Sequence, residues 1–494
     1  MSRLLQALLL TVLVACSGKD ELPPPPGADS ATSDTTGPGT GDGDDTGTTD
    51  SDEPAPELEC EETGMVSAVS AEVTEKVNTV VRVRWTTEEP QVSQVLFGQS
   101  ADYDMATAME TEPTTEHVAL LRGLKANARL HYRVVVDDGA VHCSDDATIE
   151  TGGLPSSLPE VSLEANDEAR SVGGYTAVPI VSGDVTSSTI ALFDQDGDYV
   201  WYYEFDGGLS MRATVSRDGE WVLFNYVPQS PADQGAIYRV SWDAETVETI
   251  EVLDMHNDFV ELPGGDRYAS LQWETREFEH EGETRHIVGS RIIEFDATGE
   301  VEVIWSTFDE LTLDLSEVYP PLLASDELED WTHLNYLHYD EDRDAYLMPA
   351  FHQEMVFSVD RGTGSLSWVL GGAQSSFEIQ GDAAIVFPHS VVNVGDRVMV
   401  FDHGEATECS RAALFSIDET DGTAAEDWAY YSEDCLLVYF MGSANLLSND
   451  NLLITWSTSG QIDEITPDGE LVWRVGTAIG AAFGFGARVG GIYP

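Results

Sequence analysis

The chain has 494 residues and a formal net charge of −67, with 90 Asp and Glu side chains against 23 Lys and Arg. Because binding to phosphates needs a basic surface, we expect no nucleic-acid partner. The length exceeds that of one ordinary domain and is ample for a large core.

Residues 1–16 predict an exported lipoprotein. A basic residue precedes a short apolar run that cannot span a bilayer, as in a secretory signal peptide. The tetrad Leu13-Val14-Ala15-Cys16 resembles a bacterial lipobox, in which cleavage leaves the cysteine as a lipid-carrying N-terminus. An ordinary signal peptide with a chance cysteine is the alternative. Since Ser17 follows the cysteine, we expect a cell-envelope protein, lipid-anchored to the outer membrane on its periplasmic face or at the cell surface.

Residues 17–56 predict a disordered acidic linker. They are mostly Gly, Thr, Asp, Ser and Pro, with almost nothing apolar to bury. A segment of this composition cannot offset the conformational entropy lost on folding. We expect it to hold the folded part of the chain away from a membrane.

Residues 57–153 predict a small all-β domain that acts as a spacer or binding module. Alternating apolar residues with turn residues between them, and no helical period, indicate four strands. These strands lie at 80–85, 94–98, 116–121 and 130–137. The segment from Leu121 to Val134 resembles the corner between strands E and F of a fibronectin type III domain, with Tyr132 at the tyrosine-corner position. The prediction is therefore a fibronectin type III-like β-sandwich.

Residues 160–494 repeat a pattern of paired strands. In most copies an apolar strand, a turn with Asp and Gly, and a second apolar strand lead to a tryptophan, which is typical of a hairpin. These tryptophans are Trp201, Trp305, Trp368, Trp428 and Trp473. Another hairpin precedes each, so four strands recur about every 40–60 residues, which predicts a six-bladed β-propeller. The glycine-rich end, from about residue 476, fits either a closing strand or a flexible end.

Three histidines, His256, His333 and His389, each open the first hairpin of a repeat. The first strand of a propeller blade lines the central channel, so three blades are expected to place an imidazole in one axial pocket. The alternative is a structural role for each histidine as a hydrogen-bonded channel residue.

Four cysteines remain once Cys16 is set aside, namely Cys60, Cys143, Cys409 and Cys435. They fall two and two in separate regions, so we expect two local disulfides formed in an oxidising compartment. Four cysteines allow three pairings, and proximity along the chain is the reason for this one.

The turn from Asp194 to Asp198 has acidic residues at a spacing that suits Ca²⁺. It lacks the distal bidentate Glu of an EF-hand, so an ordinary blade turn is the favoured interpretation. We therefore predict no metal site and no cofactor.

Short segments within the repeats carry a family resemblance. They are Asp330-Trp331-Thr332-His333-Leu334-Asn335, Phe351-His352-Gln353, Trp368-Val369-Leu370-Gly371-Gly372, His256-Asn257-Asp258 and Phe401-Asp402-His403-Gly404. These segments resemble the motifs of the bacterial arylsulfate sulfotransferases, a likeness that runs from about Gly173 to the C-terminus. Members of that family are six-bladed propeller enzymes that move a sulfuryl group between phenols without an adenylated cofactor.

The resemblance implies roles for the three histidines. His389 falls at the position of the nucleophile that becomes transiently sulfated. His256 and His333 are expected to bind the sulfuryl oxygens and to protonate the leaving phenolate. The implied partners are a small phenolic sulfate donor and a phenolic acceptor.

Two positions depart from the family pattern. Phe351 stands where the family has an arginine, and Ser390 where it has an aspartate. Arg212, near the start of an earlier blade, is the candidate replacement for the missing guanidinium. Together with Phe351, the residues Asn335, His352 and Arg212 are the predicted substrate-binding set.

The departures leave other functions open. One alternative is a non-catalytic surface-binding or scaffold propeller that has lost the family arginine. Another is a hydrolase that passes the sulfuryl group to water.

Overall fold

The computed structural model describes residues 60, 64–137, 139–315, 318, 328–404, 409–478 and 480–493. Within them the fold is almost entirely β, as the sequence predicts. The described helical elements are a short α-helix at Thr307–Glu310 and 3₁₀ turns at Phe351–Gln353 and Ser457–Ser459. No helix in this part of the chain is long and apolar enough to cross a membrane. The predicted signal peptide, Cys16 and the 17–56 linker lie outside the described residues.

Two antiparallel sheets form the N-terminal sandwich. One contains, in spatial order, Val66–Val73, Val81–Gln91 and Thr114–Leu121. The other contains Met105–Ala106, Ser93–Gly98, Arg129–Asp137 and Val141–Cys143, with Ala147–Glu150 also paired to Arg129–Asp137. Trp85, Phe97 and Tyr132 pack in the core between them. All four predicted strands are present, and membership of the fibronectin type III class stays a prediction.

Six further sheets in the described chain form the propeller blades, and the strands of each blade follow one another from the innermost outward. Blade 1 contains Ala481–Phe483 with Ala487–Val489, then Tyr175–Ser182, Ser188–Phe193 and Tyr199–Phe205. Blade 2 contains Ala213–Val215, Trp221–Tyr226, Gln234–Ser241 and Val247–Leu253. Blade 3 contains Met255–Glu261, Arg267–His280, Glu283–Asp296 and Val301–Ser306, with Leu328–Asp330 parallel to Glu283–Asp296.

The other three blades continue the pattern. Blade 4 contains His338–Asp340, Ala345–Ala350, Met355–Asp360 and Ser365–Gly371. Blade 5 contains Pro388–Val394, Arg397–Asp402, Arg411–Asp418 and Thr423–Tyr431, with Glu378–Ile379 on its outer edge. Blade 6 contains Ser443–Leu446, Leu452–Trp456, Gln461–Ile465 and Leu471–Thr477. The predicted hairpins ending in tryptophan are the outer two strands of blades 1, 3, 4, 5 and 6.

The repeat tryptophans pack between neighbouring blades. Trp201, Trp305 and Trp473 are at most 3% exposed. The ring of Trp305 lies 5.2 Å from that of Phe357 in blade 4, and Trp201 lies 6.3 Å from Trp242 in blade 2. In blades 1, 3 and 6 the repeated tryptophan is therefore a side chain buried against the neighbouring blade, whereas Trp368 and Trp428 are partly exposed.

Both ends of the propeller sequence close the ring of blades. Val161–Asn166 pairs with the outer strand of blade 6, and the C-terminal strands pair with Tyr175–Ser182 of blade 1. The glycine-rich end is thus a closing strand. A Cβ on Gly484 would lie 2.5 Å from the carbonyl oxygen of Met211, so only glycine fits this close approach.

The described cysteines are all in disulfides, as predicted. Cys409 and Cys435 are joined across a Cα–Cα distance of 4.8 Å. Cys60 and Cys143 are also disulfide-bonded.

Candidate active site

Two of the three predicted histidines lie at equivalent places in their blades, and the third precedes the inner strand of the blade between them. His256 and His389 lie at the second position of the inner strands of blades 3 and 5. His333 was predicted to open a strand, but it lies in an irregular turn before the inner strand of blade 4, with a left-handed φ of 48°. The reason is local, because its backbone N–H donates to Asp330 Oδ1 at 3.1 Å and folds the chain back.

Phe351 is at the centre of the site. It follows the second strand of blade 4, and its ring is surrounded by imidazoles from blades 4 and 5 and by one more phenyl ring. The ring centroids lie 5.6 Å from His333, 5.6 Å from His352, 5.5 Å from His403, 6.4 Å from His389 and 5.1 Å from Phe387. The position where the resemblance implies an arginine therefore holds an apolar ring.

His389 is buried and uncharged at neutral pH. Its ring is stacked on His403 at 5.1 Å and lies 5.9 Å from Phe485 of the closing strand. Burial, with smaller contributions from His403 and His333, holds its pKa well below the ordinary value of 6.5. Its Nδ1 is buried without a hydrogen-bond partner among the described residues. A neutral imidazole with an unpaired nitrogen is chemically a nucleophile.

Sequence reasoning missed His403 as a site residue. Its Nε2–H donates to the carbonyl of Met441 at 2.7 Å, and burial lowers its pKa to about 4. The available signal was Phe401-Asp402-His403-Gly404 itself, where the family motif has Asn in place of His403.

Asp330, His333 and His352 form a second cluster. His333 Nδ1 donates to Asp330 Oδ2 at 2.6 Å, and His352 Nδ1 lies 3.9 Å from Asp330 Oδ1. Burial acts to raise the pKa of Asp330, but the adjacent His333 outweighs it and the pKa is lowered. Burial lowers the pKa of His352 to about 4. The carboxylate is therefore ionised at neutral pH and orients His333.

His256 is held against the wall of blade 3. It is stacked on Trp273 at 4.8 Å, donates from Nδ1 to Asn257 Oδ1 at 3.2 Å and shares a hydrogen bond between Nε2 and Ser290 Oγ at 3.1 Å. Burial lowers its pKa to about 3. The charges of Asp330 and His333 also act on that pKa, so His256 lies within electrostatic range of the second cluster.

Arg212 lies beside the site with its charge already paired. Its Nε and Nη2 donate to the two carboxylate oxygens of Asp258 at 2.5 and 2.7 Å, and its guanidinium lies over the rings of Tyr336 and Phe485. Burial acts to lower the pKa of Arg212, but Asp258 more than offsets it, so the side chain stays charged. The structure thus places Arg212 next to Phe485, and Phe485 contacts His389. The N–H groups of Arg212 are already hydrogen-bonded to Asp258.

Asn335 completes the predicted set, and Ser390 is the second departure from the family pattern. Asn335 is fully buried, and its amide oxygen and nitrogen find no hydrogen-bond partner among the described residues. An unpaired buried amide is costly and suits a group that meets a ligand. Ser390 Oγ instead accepts a hydrogen bond from the backbone N–H of Ala444 at 3.2 Å, which ties blade 5 to blade 6.

The fold and the site define a six-bladed β-propeller with a histidine-lined axial site built from several blades. The arylsulfotransferase (ASST) family matches residues 173–472, more than half of the sequence, and the chain belongs to that family. Its propeller is therefore that of a transferase of the sulfotransferase family.

Comparison with solved structures finds other proteins at low identity. TolB from Acinetobacter baumannii is 11% identical over 74% of this chain and 81% of that chain, with a TM-score of 0.40. The periplasmic gluconolactonase of Pseudomonas aeruginosa is 10% identical over 63% of this chain and 99% of that chain, with a TM-score of 0.38. Comparison with curated proteins gives no match.

Proposed function

We propose that the protein transfers a sulfuryl group from an aryl sulfate to a phenol through a sulfohistidine at His389, without an adenylated cofactor. The observation that carries this proposal is the state of His389, a buried and uncharged imidazole with an unpaired nitrogen. It lies among the aromatic rings of Phe351, His403 and Phe485.

The first half of the reaction forms a nitrogen–sulfur bond. The lone pair of His389 attacks the sulfur of the donor, and the bond between sulfur and the aryl oxygen breaks with its electron pair going to the phenolate. His333, held by Asp330 at 2.6 Å, protonates that phenolate.

The second half runs the same steps in reverse with a different phenol. His333 takes the proton of the acceptor hydroxyl, the phenol oxygen attacks sulfur, and the bond from His389 to sulfur breaks. His256, His352 and the unpaired amide of Asn335 are the groups that we assign to the sulfuryl oxygens.

The apolar part of the site suits an aryl substrate. The rings of Phe351 and Phe387 lie 5.1 Å apart, and the ring of Phe485 lies 5.9 Å from that of His389. Aromatic side chains offer stacking and edge contacts to a phenyl ring. These contacts are used by both donor and acceptor, since both are phenols or their esters.

The experiment is release of 4-nitrophenol from 4-nitrophenyl sulfate by the purified protein, with and without phenol. We expect phenol to stimulate release and His389→Ala to reduce it about 10³-fold or more. His131→Ala, which changes a half-buried histidine of the sandwich, is the matched control. Intact mass after donor alone is expected to rise by one sulfuryl group in the wild type and not in His389→Ala. Release that ignores phenol would instead indicate a hydrolase.

A non-catalytic binding propeller is the second candidate, favoured by Phe351 at the centre of the site and by Arg212 paired with Asp258. Calorimetric binding of the aryl sulfate by folded protein, with neither turnover nor adduct, would select this candidate.

We also propose that Cys16 carries a lipid that anchors the protein in the cell envelope. Its support is the lipobox sequence. Cys16→Ser is expected to move the protein from the membrane fraction to the soluble fraction.

A further inference from the structure

The proposed reaction needs a positive charge near the sulfuryl group. Among the described side chains of the site, the arginine that could supply it is already paired with a carboxylate. An aryl sulfate is an anion, and charge develops on its leaving oxygen during transfer. The guanidinium of Arg212 is forked onto Asp258 at 2.5 and 2.7 Å. His389 and His403 are neutral near pH 7 because burial lowers their pKa values. Phe351 occupies the position at which the resemblance implies a cation.

Three side chains beside Phe351 have the composition and spacing of a metal site. One donor atom from each of Asp330, His333 and His352 lies within 4.8 Å of the other two. His333 Nδ1 is 2.6 Å from Asp330 Oδ2, and His352 Nδ1 is 3.9 Å from Asp330 Oδ1. Ligands of a four-coordinate Zn²⁺ lie about 2.0–2.2 Å from the ion and so about 3–3.5 Å from one another. Small side-chain rotations and loss of the proton that His333 Nδ1 donates to Asp330 therefore separate the present arrangement from coordination, and His333 Nε2 remains the atom that exchanges a proton with the phenol.

The backbone holds the three donors together. The turn Phe351–Gln353 is hydrogen-bonded to the loop that carries His333, because the N–H groups of Phe351 and His352 donate to the carbonyls of His333 and Thr332, each at 3.4 Å. The left-handed backbone of His333 is fixed by its own hydrogen bond to the Asp330 side chain. Because these two backbone segments are hydrogen-bonded to each other, their metal-binding side chains are held in position to bind one ion.

We propose that Asp330, His333 and His352 bind a divalent transition-metal ion, with Zn²⁺ the first choice, and that this ion supplies the positive charge that Phe351 lacks. Two imidazole nitrogens and one carboxylate oxygen favour Zn²⁺ and its first-row neighbours over Ca²⁺ and Mg²⁺, which prefer oxygen ligands. A three-ligand site leaves a coordination position for a sulfuryl oxygen of the donor. The proposal rests on the sulfuryl-transfer function.

A second cluster in the structure offers a contrast and a control. Asp194, Asp196 and Asp198 also bring three carboxylates close together. The ammonium of Lys125 lies among them, 2.8 Å from Asp198 and 3.3 Å from Asp194. The Lys125 ammonium already supplies that cluster with a cation. At the candidate active site, the described arginine, Arg212, is paired with Asp258 instead.

The test uses the full chain, produced without a histidine tag and stripped with EDTA. Titration with Co²⁺ is followed by the visible d–d absorption that nitrogen-coordinated Co²⁺ shows and that Co²⁺ on surface carboxylates shows much more weakly. We expect one such site per chain in the wild type and its loss in both Asp330→Asn and His352→Ala. Asp194→Asn is the control and is expected to keep the signal. Melting temperatures establish that each variant is folded.

Activity is measured in the same samples with 4-nitrophenyl sulfate and phenol. We expect EDTA treatment to lower the rate about 10²-fold and Zn²⁺ to restore it, the size typical of one group that stabilises transition-state charge. The metal-site proposal is wrong if the wild type shows no d–d bands. It is also wrong if the wild type and both variants show equal bands. Either result holds whatever the activity. Equal rates with and without metal overturn its role in the reaction. A metal site in a protein that transfers no sulfuryl group supports the site and rejects the proposed function.

Discussion

At the scale of single residues, Phe351 leaves the centre of the site without the positive charge of the arginine that the family resemblance implies. Its ring contacts four histidines of the site, so an arginine at this position would place a guanidinium beside the reacting sulfur. We predict that Phe351→Arg raises kcat/KM for 4-nitrophenyl sulfate about 10-fold or more in metal-free protein, because a preorganised cation stabilises the developing charge.

The control for this substitution is Phe351→Leu, which stays apolar and supplies no cation. It is expected to leave kcat/KM unchanged or lower. Equal losses in the two variants, with melting temperatures close to that of the wild type, would show that charge does not limit the site.

The low pKa of His389 gives a second prediction at this scale. Burial holds the pKa below 6.5, so the imidazole stays neutral and nucleophilic as the pH falls through 6.5, and it is protonated only below its lowered pKa. We predict that single-turnover release from 4-nitrophenyl sulfate, whose leaving group needs little protonation, stays flat as the pH falls from 8 through 6.5.

Phenyl sulfate is the comparison substrate, because its more basic leaving group depends on a proton donor. We expect loss of the donor in His333→Asn to lower the phenyl sulfate rate more than the 4-nitrophenyl sulfate rate. A loss of rate with 4-nitrophenyl sulfate centred near pH 6.5 would contradict a buried, neutral His389.

At the scale of elements, the C-terminal closing segment both completes the ring of blades and places Phe485 in the site. Phe485 lies in this segment between Arg212 and His389, and Gly484 precedes it where a Cβ would meet the carbonyl of Met211 at 2.5 Å. We predict that Gly484→Ala lowers the free energy of unfolding by about 1–3 kcal/mol, because the strand must shift. The measurement is chemical denaturation, read together with kcat/KM.

Gly490→Ala is the matched control in the same segment, since a Cβ there meets nothing within 4 Å. We expect it to change stability by less than about 0.5 kcal/mol. Similar losses in both variants would show that the close approach at Gly484 does not matter.

The elements also show which parts of the structure can be predicted from sequence. Hairpins of the sandwich and of the blades follow from alternating apolar residues and turn residues, which act over a few positions. The positions of His256 and His389 follow from the repeat. The pairing of Arg212 with Asp258 does not, because it depends on a side chain in another blade, and the turn at His333 does not, because a single local hydrogen bond to Asp330 interrupts the repeat.

The same reasoning explains why the sequence predicts His333 and His352 as site residues but neither His403 nor the contact of His352 with Asp330. His403 reaches the site only because its strand in blade 5 lies beside Phe351 of blade 4. His352 and Asp330 are 22 positions apart and meet because the N–H groups of Phe351 and His352 donate to the carbonyls of His333 and Thr332. Neither contact leaves a periodic trace in the sequence.

At the scale of the whole molecule, Arg122 is one of several residues that bind the sandwich to the propeller. This side chain is 7% exposed, donates from Nη1 to the carbonyls of Gly219 and Ile492 at 2.8 and 3.0 Å, and lies over the ring of Trp242. Its backbone N–H donates to the hydroxyl of Tyr493 at 2.6 Å. One residue thus joins the sandwich, blade 2 and the chain end.

We predict that Arg122→Ala lowers the free energy of unfolding by about 3 kcal/mol, because buried carbonyls lose a charged donor. Scanning calorimetry is expected to show one transition for the wild type and two for the variant, as sandwich and propeller unfold separately. Arg129→Ala, at an exposed position of the same sandwich, is the control and should keep one transition. A single transition at the wild-type temperature in Arg122→Ala would contradict this role of Arg122.

The net charge of −67 acts on the substrate as well as on the fold. The proposed donor is an anion, so the field of the protein repels it, and dissolved salt screens that repulsion within about 8 Å at physiological ionic strength. We therefore predict that kcat/KM for 4-nitrophenyl sulfate rises several-fold between low salt and about 1 M NaCl.

The phenol acceptor is neutral and is not repelled by this field. Its kcat/KM, measured at saturating donor, should therefore stay nearly constant and serve as the control. A fall of the donor's kcat/KM with salt would mean that local positive charge, from a bound metal or an unpaired arginine, outweighs the acidic surface where the donor enters. A rise shared by donor and acceptor would point to a stabilised fold instead, which the melting temperature in the same buffers would reveal.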